Sequence, residues 1–199
     1  ATFLLTLKGT PFIYYGEELG MTNTAFPDER AIRDIEGINA LNEARITGQY
    51  DRTWRGILHK GRDHARTPMQ WNASRNAGFT AGEPWIMVNP NYKAINAAAE
   101  EADPDSVLRF YRMLIALRNN SKTLQYGTYT PLLTEHEQLF AYERALDGET
   151  FTIVCNMSGT SAELPKLPVG ERVLCNVTSG RGKTMLPFEA RVLRKSNGH

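Results

Sequence analysis

The hydrophobic period of the chain changes near residue 120, and this change most constrains the fold. Before it, apolar residues recur at the helical spacing of about 3.6, as in Val107–Leu117. After it, inward and outward residues alternate, as in Phe151–Cys155, which is typical of strands. The pattern therefore predicts two domains, 1–120 and 121–199, the second an antiparallel β-sandwich.

The second domain carries several runs of alternating hydrophobicity. They lie at Phe140–Tyr142, Phe151–Met157, Val173–Val177 and Phe188–Val192. Asp147 and Gly148 form a hairpin turn signal between two such segments. We predict that Phe140, Phe151 and Phe188 point into the core of the sandwich.

The opening segment predicts half of a βαβ repeat. Ala1–Leu7 is typical of the last turns of a buried helix, and Lys8–Gly9 would end it. Pro11–Gly16 is apolar and aromatic, as in a strand buried on both faces of a parallel sheet. Glu17 and Glu18 follow this strand, but adjacent residues of an extended chain point to opposite sides. Glu17 and Glu18 therefore cannot be the facing acid and nucleophile of a glycosidase. We expect one of them to fix a neighbouring loop.

The first residues do not form a targeting sequence. The chain lacks an initiator Met, a basic leader and a cleavage motif, so Ala1–Leu7 is not a signal peptide. Because this segment has the pattern of a helix that starts upstream, we expect the chain to be a fragment of a longer protein.

The middle of the chain alternates helices with long loops. We predict a helix over Asp34–Thr47 within the otherwise irregular segment 23–60. Residues 72–102 are rich in Gly, Pro and Asn, and a loop of this length is expected to build a site. Asp103 is predicted to cap the next helix, with Pro104 at its first position.

The segment Gly61–Trp71 combines ionisable and aromatic side chains in an unusual way. Its candidate binding residues are Arg62, Asp63, His64 and Arg66, close to Trp71. Directional polar groups beside a flat ring suit a sugar site, since Arg can donate two parallel hydrogen bonds. The alternative is an Arg–Asp ion pair that pins a long loop. A histidine in such a loop more often makes structural hydrogen bonds than moves protons, and we interpret Trp71 and Trp85 as packing residues.

Four segments carry a resemblance to a known family. They are Gly61–Trp71, Gly9–Met21, Asn76–Phe79 and Pro84–Tyr92. In this order they resemble the C-terminal part of the oligo-1,6-glucosidase and α-glucosidase subfamily of the α-amylase superfamily. The resemblance implies that 1–120 is the end of a catalytic (β/α)8 TIM barrel, an α/β fold, followed by the all-β sandwich.

The resemblance also implies which site residues this chain contains. The family's three catalytic carboxylates lie on earlier barrel strands and would precede Ala1, so we assign no catalytic residue. Arg66 is expected to bind the non-reducing-end glucose, with Arg62, Asp63 and His64 as further substrate-binding candidates. Asn72 stands where relatives commonly carry Asp, which changes the charge of this loop. The missing N-terminal barrel segment would be required for activity.

Composition excludes several classes of partner. The net charge is +1 and there is no basic block or long apolar run, so we expect no nucleic-acid or membrane partner. Cys155 and Cys175 offer neither a disulfide framework nor metal-ligand spacing and are predicted to be small buried hydrophobes. We therefore expect no metal and no cofactor, and a cytoplasmic location.

Three functions remain open from the sequence. The first is a retaining α-glucosidase acting on isomalto- or malto-oligosaccharides or sucrose-like α-glucosides at the non-reducing end. The second is a glucosyl isomerase, such as a trehalose or isomaltulose synthase, with the same motifs. The third is a non-catalytic carbohydrate-binding module, for which Tyr126 and Tyr129 are the candidate exposed aromatics.

Overall fold

The computed structural model describes residues 1–165, 170–177 and 182–196. The chain forms two compact units, which we call the sheet unit (1–12 with 110–199) and the loop unit (13–109). The domain boundary near residue 120 refers to the division of a whole enzyme into a barrel and a C-terminal domain, and it stays a prediction.

Six α-helices occur in the described ranges. They are α1 (Thr2–Thr6), α2 (Ile35–Thr47), α3 (Tyr50–Lys60), α4 (Ala97–Ala102), α5 (Val107–Asn119) and α6 (Lys122–Tyr126). None of these helices is long and apolar enough to cross a membrane.

The loop unit is built on α2 and α3. The predicted helix over Asp34–Thr47 is confirmed: it ends at Gly48, where φ is 72°. Helix α3 was not predicted, although Trp54, Ile57 and Leu58 have helical spacing and pack against one buried cluster. The cluster consists of Phe26, Ile32 and Ile86. Short 3₁₀ turns connect these helices to the rest of the unit: Glu17–Leu19, Glu29–Ala31, Arg62–Arg66, Arg75–Gly78 and Pro90–Lys93.

The predicted strand over Pro11–Gly16 is not formed. The structure assigns no strand there, and Phe12 is 83% exposed. A strand in a parallel sheet needs neighbours that accept and donate its backbone hydrogen bonds. Within the described residues, no other segment supplies such a ladder to this run.

The predicted cap of α5 is wrong by three residues. The Oγ of Ser106 accepts a hydrogen bond from the backbone N of Arg109 at 3.2 Å and so caps the helix. Asp103 instead accepts from the backbone N of Asp105 at 2.9 Å in the turn before it. Tyr111 and Leu114 are buried, as the apolar stripe predicts.

Helix α6 interrupts the region that was predicted to be all strand. The Oγ of Ser121 accepts from the backbone N of Leu124 at 3.2 Å and starts this short helix. The first strand therefore begins at Thr128, seven residues after the change of period.

Seven strands follow among the residues that the structure describes. They are β1 (Thr128–Leu132), β2 (Leu139–Leu146), β3 (Glu149–Asn156), β4 (Ala162–Glu163), β5 (Glu171–Cys175), β6 (Thr184–Met185) and β7 (Ala190–Ser196). A five-stranded sheet has the order β1-β2-β3-β7-β5, and β4 pairs with β6; all pairs are antiparallel. The predicted hairpin at Asp147 and Gly148 is confirmed, with φ of 47° and 83°.

Alternation in β3 fills both faces of the large sheet. Phe151 and Ile153 are buried in one cluster with Leu124 of α6. Val154 points the other way and packs with Met185 of the small sheet, which makes the unit a sandwich. Their burial confirms the predicted antiparallel β-sandwich.

The inward position predicted for Phe188 is wrong. Phe140 packs against the first cluster and Phe151 is buried in it, but Phe188 is 64% exposed. Its φ of 54° places it in a turn before β7, so it does not share the alternation of that strand.

Both cysteines are free thiols. Cys155 is buried, and loss of hydration raises the pKa of its thiol to about 11. Cys175 is half-buried, and burial also raises its pKa. The prediction of a small buried hydrophobe is therefore confirmed for Cys155 and only partly for Cys175.

Candidate functional site

The candidate binding residues lie on a 3₁₀ turn, Arg62–Arg66, directly after α3. The connection at Gly61 is tight: a Cβ there would lie 2.7 Å from the carbonyl oxygen of Ile57. Only glycine allows the backbone to pass this close to the end of the helix. The turn then brings Arg62, Asp63 and Arg66 to the N-terminal end of α2.

Asp63 is an internal anchor of this turn. It is 1% exposed, and its Oδ2 accepts from the backbone N of Arg33 at 2.6 Å and of Asp34 at 2.9 Å. Its Oδ1 accepts from Nη1 of Arg66 at 3.2 Å. A buried carboxylate is tolerated because all these donors satisfy it. Asp63 therefore positions its neighbours and has no exposed face for a ligand.

Asp34 binds both arginines of the turn. Arg62 donates to it through Nε at 3.1 Å and Nη2 at 2.6 Å, and Nη1 of Arg66 lies 3.4 Å from Oδ1. These hydrogen bonds from Arg62, with the charges of both arginines, hold the pKa of the Asp34 carboxyl below its usual range. Glu36 adds a contact of 3.1 Å to Nη2 of Arg62. Asp34 was not among the predicted site residues, although the sequence shows an Asp at the start of a predicted helix.

His64 is a structural histidine in this arrangement. Its Nδ1 accepts from the backbone N of Thr24 at 3.2 Å, which assigns the ring proton to Nε2. Nε2 then donates to the carbonyl oxygen of Ile57 at 3.2 Å. The ring also contacts that of Phe26, with centroids 5.1 Å apart. Both nitrogens are occupied by the backbone, as expected for a loop histidine.

Arg66 borders an open depression of about 560 Å³ that we call the aromatic pocket. Its lining residues are Tyr15, Glu18, Arg66, Pro68, Met69, Trp71, Phe79 and Trp85. Trp71 is 52% exposed and Trp85 58% exposed, so both present a face to solvent. The rest of each side chain is covered, and the interpretation of these two tryptophans as packing residues stays a prediction.

The wall of the pocket is held by turn geometry. The backbone N of Trp71 donates to the carbonyl oxygen of Ala77 at 2.9 Å, and that of Asn72 to the same oxygen at 3.1 Å. Gly78 follows with φ of 69°, and a Cβ there would lie 2.5 Å from Nδ2 of Asn72. Asn72 itself accepts from the backbone N of Ser74 at 2.9 Å, so its side chain shapes the loop.

Two further lining residues of the pocket, Tyr15 and Glu18, are held by hydrogen bonds to the backbone. The hydroxyl of Tyr15 lies 3.0 Å from the carbonyl oxygen of Ala65 and 3.0 Å from that of Thr67, and its one hydrogen is shared between them. The Oε2 of Glu18 accepts from the backbone N of Gly16 at 2.8 Å. This contact agrees with the expectation that one of the two glutamates fixes a loop. Because a carboxylate has several acceptor sites, Glu18 can still accept a hydrogen bond from a ligand.

The four predicted binding residues thus occupy different positions. Arg66 lines the aromatic pocket, whereas Arg62 and His64 line a neighbouring depression of about 420 Å³. Asp63 is buried beneath them. The structure joins Arg62, Asp63 and Arg66 in one ion-pair network through Asp34.

The chemistry available in the aromatic pocket is binding. Among the described residues that line it, Glu18 is the one carboxylic acid, whereas glycoside cleavage uses a pair of carboxyl groups. No group of three or more His, Cys, Asp or Glu in the described part of the chain is placed to hold a metal ion. One acid, one guanidinium and several aromatic faces suit a polyhydroxylated, partly apolar ligand.

Comparison with known proteins gives a family. The model of the α-amylase catalytic domain matches residues 1–127. The chain is 46% identical to the oligo-1,6-glucosidase of Halalkalibacterium halodurans over 168 residues, 83% of this chain and 30% of that protein. The chain thus spans about a third of the length of this curated relative.

Solved structures agree in fold. The crystal structure of Bacillus licheniformis trehalose-6-phosphate hydrolase aligns with a TM-score of 0.92 at 35% identity, over 98% of this chain and 38% of that one. Isomaltulose synthase from Klebsiella sp. LX3 aligns with a TM-score of 0.91 at 35% identity, over 97% and 36%. The predicted fold class, the end of a TIM barrel followed by an antiparallel sandwich, is confirmed at this level. The chain belongs to the α-amylase family of glycoside hydrolases.

Proposed function

We propose that this chain is the sugar-recognition part of a retaining α-glucosidase that cleaves α-glucosidic bonds at the non-reducing end of short oligosaccharides. The observation that carries the proposal is the position of Arg66, which borders a pocket walled by exposed aromatic rings. An enzyme that acts at a chain end needs directional contacts to the terminal hydroxyls, and this pocket offers them.

Arg66 can bind two hydroxyl groups at once. Its Nη1 is committed to Asp34 and Asp63. Within the part of the chain that the structure describes, Nε and Nη2 donate to no protein group, and the side chain is 36% exposed. A planar guanidinium presents neighbouring N–H groups in a fixed fork, which matches two oxygens of one ligand.

The aromatic wall and Glu18 complete the proposed contacts. Trp71 and Trp85 offer flat, apolar faces to the C–H side of a sugar ring. Glu18 can accept a hydrogen bond from a hydroxyl on the same ring. Arg62, Asp63 and His64, which were candidates for direct contact, take supporting roles in this proposal.

We place the catalytic carboxylates outside this chain. Support comes from the single acid in the pocket and from the coverage of about a third of the relatives. In the whole enzyme, 1–120 would form the end of the barrel and 121–199 the C-terminal domain. The chain alone is then expected to hydrolyse no glucoside. The free thiols of Cys155 and Cys175 support the proposed cytoplasmic location.

The substrate proposal is an α-1,6-linked glucoside such as isomaltose, on the basis of the name of the oligo-1,6-glucosidase relative. The isomerase alternative has support from the isomaltulose synthase, which aligns over 97% of this chain. Both reactions would use the same recognition of a terminal glucose and differ in whether water or the sugar acceptor attacks.

An assay of the enzyme that contains this chain separates these activities. We expect glucose release from isomaltose, with the α-anomer appearing first in a proton NMR time course, since retention passes through a glycosyl-enzyme. Conversion of sucrose to isomaltulose would favour the isomerase instead. First release of the β-anomer would contradict retention. Turnover by the isolated 199-residue chain would contradict the assignment of catalysis to other segments.

A further inference from the structure

We propose that Asp34 is a positioning residue for Arg66: it holds one edge of the guanidinium so that the other edge is left for a sugar in the aromatic pocket. The inference rests on the proposed function, since it concerns the same pocket. It adds Asp34, which lies 32 positions before Arg66 and is not one of the four predicted binding residues.

The hydrogen-bond capacity of Arg66 carries the argument. Nη1 has two hydrogens, and the structure provides two acceptors for them, Oδ1 of Asp34 at 3.4 Å and Oδ1 of Asp63 at 3.2 Å. With this nitrogen occupied on both sides, rotation of the planar group is restricted. The free donors, Nε and Nη2, therefore keep one orientation at the rim of the pocket.

The carboxylate of Asp34 is itself fixed from three sides. Its backbone N donates to Asp63, its side chain is largely buried, and Arg62 holds it through a two-contact fork. The charged groups that face it are Arg62 and Arg66, and Glu36 reaches Arg62 from α2. An acceptor held this firmly can set the position of a second, more exposed side chain.

A purely structural role as helix cap does not account for Asp34. It occupies the N-cap position of α2, where Asp commonly accepts a hydrogen bond from the first turn. Its side chain makes no such cap hydrogen bond. Both carboxylate oxygens are instead directed to the arginines of the 62–66 turn. The residue is therefore used for the turn and not for the helix.

A double-mutant cycle in the whole enzyme tests this inference. We expect Asp34→Asn to raise the KM for isomaltose about tenfold while kcat changes less than about threefold, as for lost binding in the ground state. If Asp34 acts through Arg66, adding Asp34→Asn to Arg66→Lys should raise KM by less than about twofold further. If Asp34→Asn instead raised KM through a structural defect elsewhere, the increases in KM caused by the two substitutions would multiply in full.

A matched control is available at Asp28. It also precedes a helical turn and binds a neighbouring arginine, Arg30, but the pair is exposed and has no contact with Arg66. Asp28→Asn should leave KM unchanged. Should Asp34→Asn fail to fold, Asp34→Ser keeps a good capping residue, and the same rise in KM is expected.

The possible outcomes are distinct. The role of Asp34 is overturned if its folded variant has an unchanged KM, or if the increases in KM caused by Asp34→Asn and Arg66→Lys multiply in full. In either case, α-glucosidase activity of the wild-type enzyme still upholds the proposed function. A wild-type enzyme that hydrolyses no α-glucoside overturns the proposed function, and this inference with it.

Discussion

Nη1 of Arg144 donates a 2.8 Å hydrogen bond to the carbonyl oxygen of Thr6, which lies 138 residues earlier in the chain. Arg144 is 0% exposed. Its other donors reach the carbonyl oxygens of Leu124, Gly127 and Thr128 at 2.9 to 3.0 Å. All these acceptors are backbone groups in the sheet unit, so the guanidinium joins α1, the end of α6 and the first strand.

Replacing Arg144 with Met should strongly destabilise the chain. The variant keeps much of the side-chain volume but removes the hydrogen bonds that Arg144 donates to four carbonyl oxygens, of which that of Leu124 keeps a second donor, Arg118. We expect the free energy of unfolding to fall by about 3 to 5 kcal/mol. Urea unfolding followed by circular dichroism measures this. Arg194→Met is the control, because Arg194 is exposed and its pair with Glu171 spans 3.9 Å; its loss should cost below about 1 kcal/mol. Equal effects of the two variants would contradict the role of Arg144.

The loop unit offers two glycines with opposite expected responses to alanine. Gly78 has φ of 69° and no room beside Asn72, so Gly78→Ala should destabilise by about 2 kcal/mol and disturb Trp71. Gly56 lies within α3 with open space around it, so Gly56→Ala should stabilise by about 1 kcal/mol. Thermal unfolding with tryptophan fluorescence compares the two. Destabilisation by Gly56→Ala or tolerance of Gly78→Ala would contradict these local conformations.

The acid stability of the chain should depend on Asp34. Hydrogen bonds from Arg62 and the charges of Arg62 and Arg66 hold its folded-state pKa below the ordinary value of 3.8. A lowered pKa stabilises the fold above the unfolded pKa, and this contribution is lost as pH falls through the folded pKa. Wild type should therefore be more stable than Asp34→Asn at pH 7, with the difference shrinking below about pH 4. Denaturant unfolding at several pH values measures it, and a difference independent of pH would contradict the ion-pair network.

Local signals in the sequence predicted the elements that need no distant partner. Helix α2 and the hairpin at Asp147 and Gly148 follow from spacing and turn chemistry over a few residues. The strand expected at Pro11–Gly16 failed because a strand depends on a ladder from other segments. Helix α6 is only five residues long, which is too short to show a helical period in the sequence.

The same distinction applies to the candidate site. One short turn contains Arg62, Asp63 and Arg66, so a single sequence motif could identify all three as candidates. Asp34 joins them only through the fold, since a contact over 32 residues leaves no periodic signal. The exposure of Trp85 also depends on the conformation of the surrounding loops. Amino-acid composition does not determine that conformation.

The central claim, that Arg66 recognises the sugar, is tested most directly by the KM of Arg66→Lys in the enzyme that contains this chain. Lysine keeps the positive charge but cannot present two parallel donors, so we expect the KM for isomaltose to rise about 10- to 100-fold, the value of one or two charged hydrogen bonds. Arg75→Lys, at an exposed position that does not line the aromatic pocket, should leave KM unchanged. A KM for Arg66→Lys equal to that of the wild type would contradict the account.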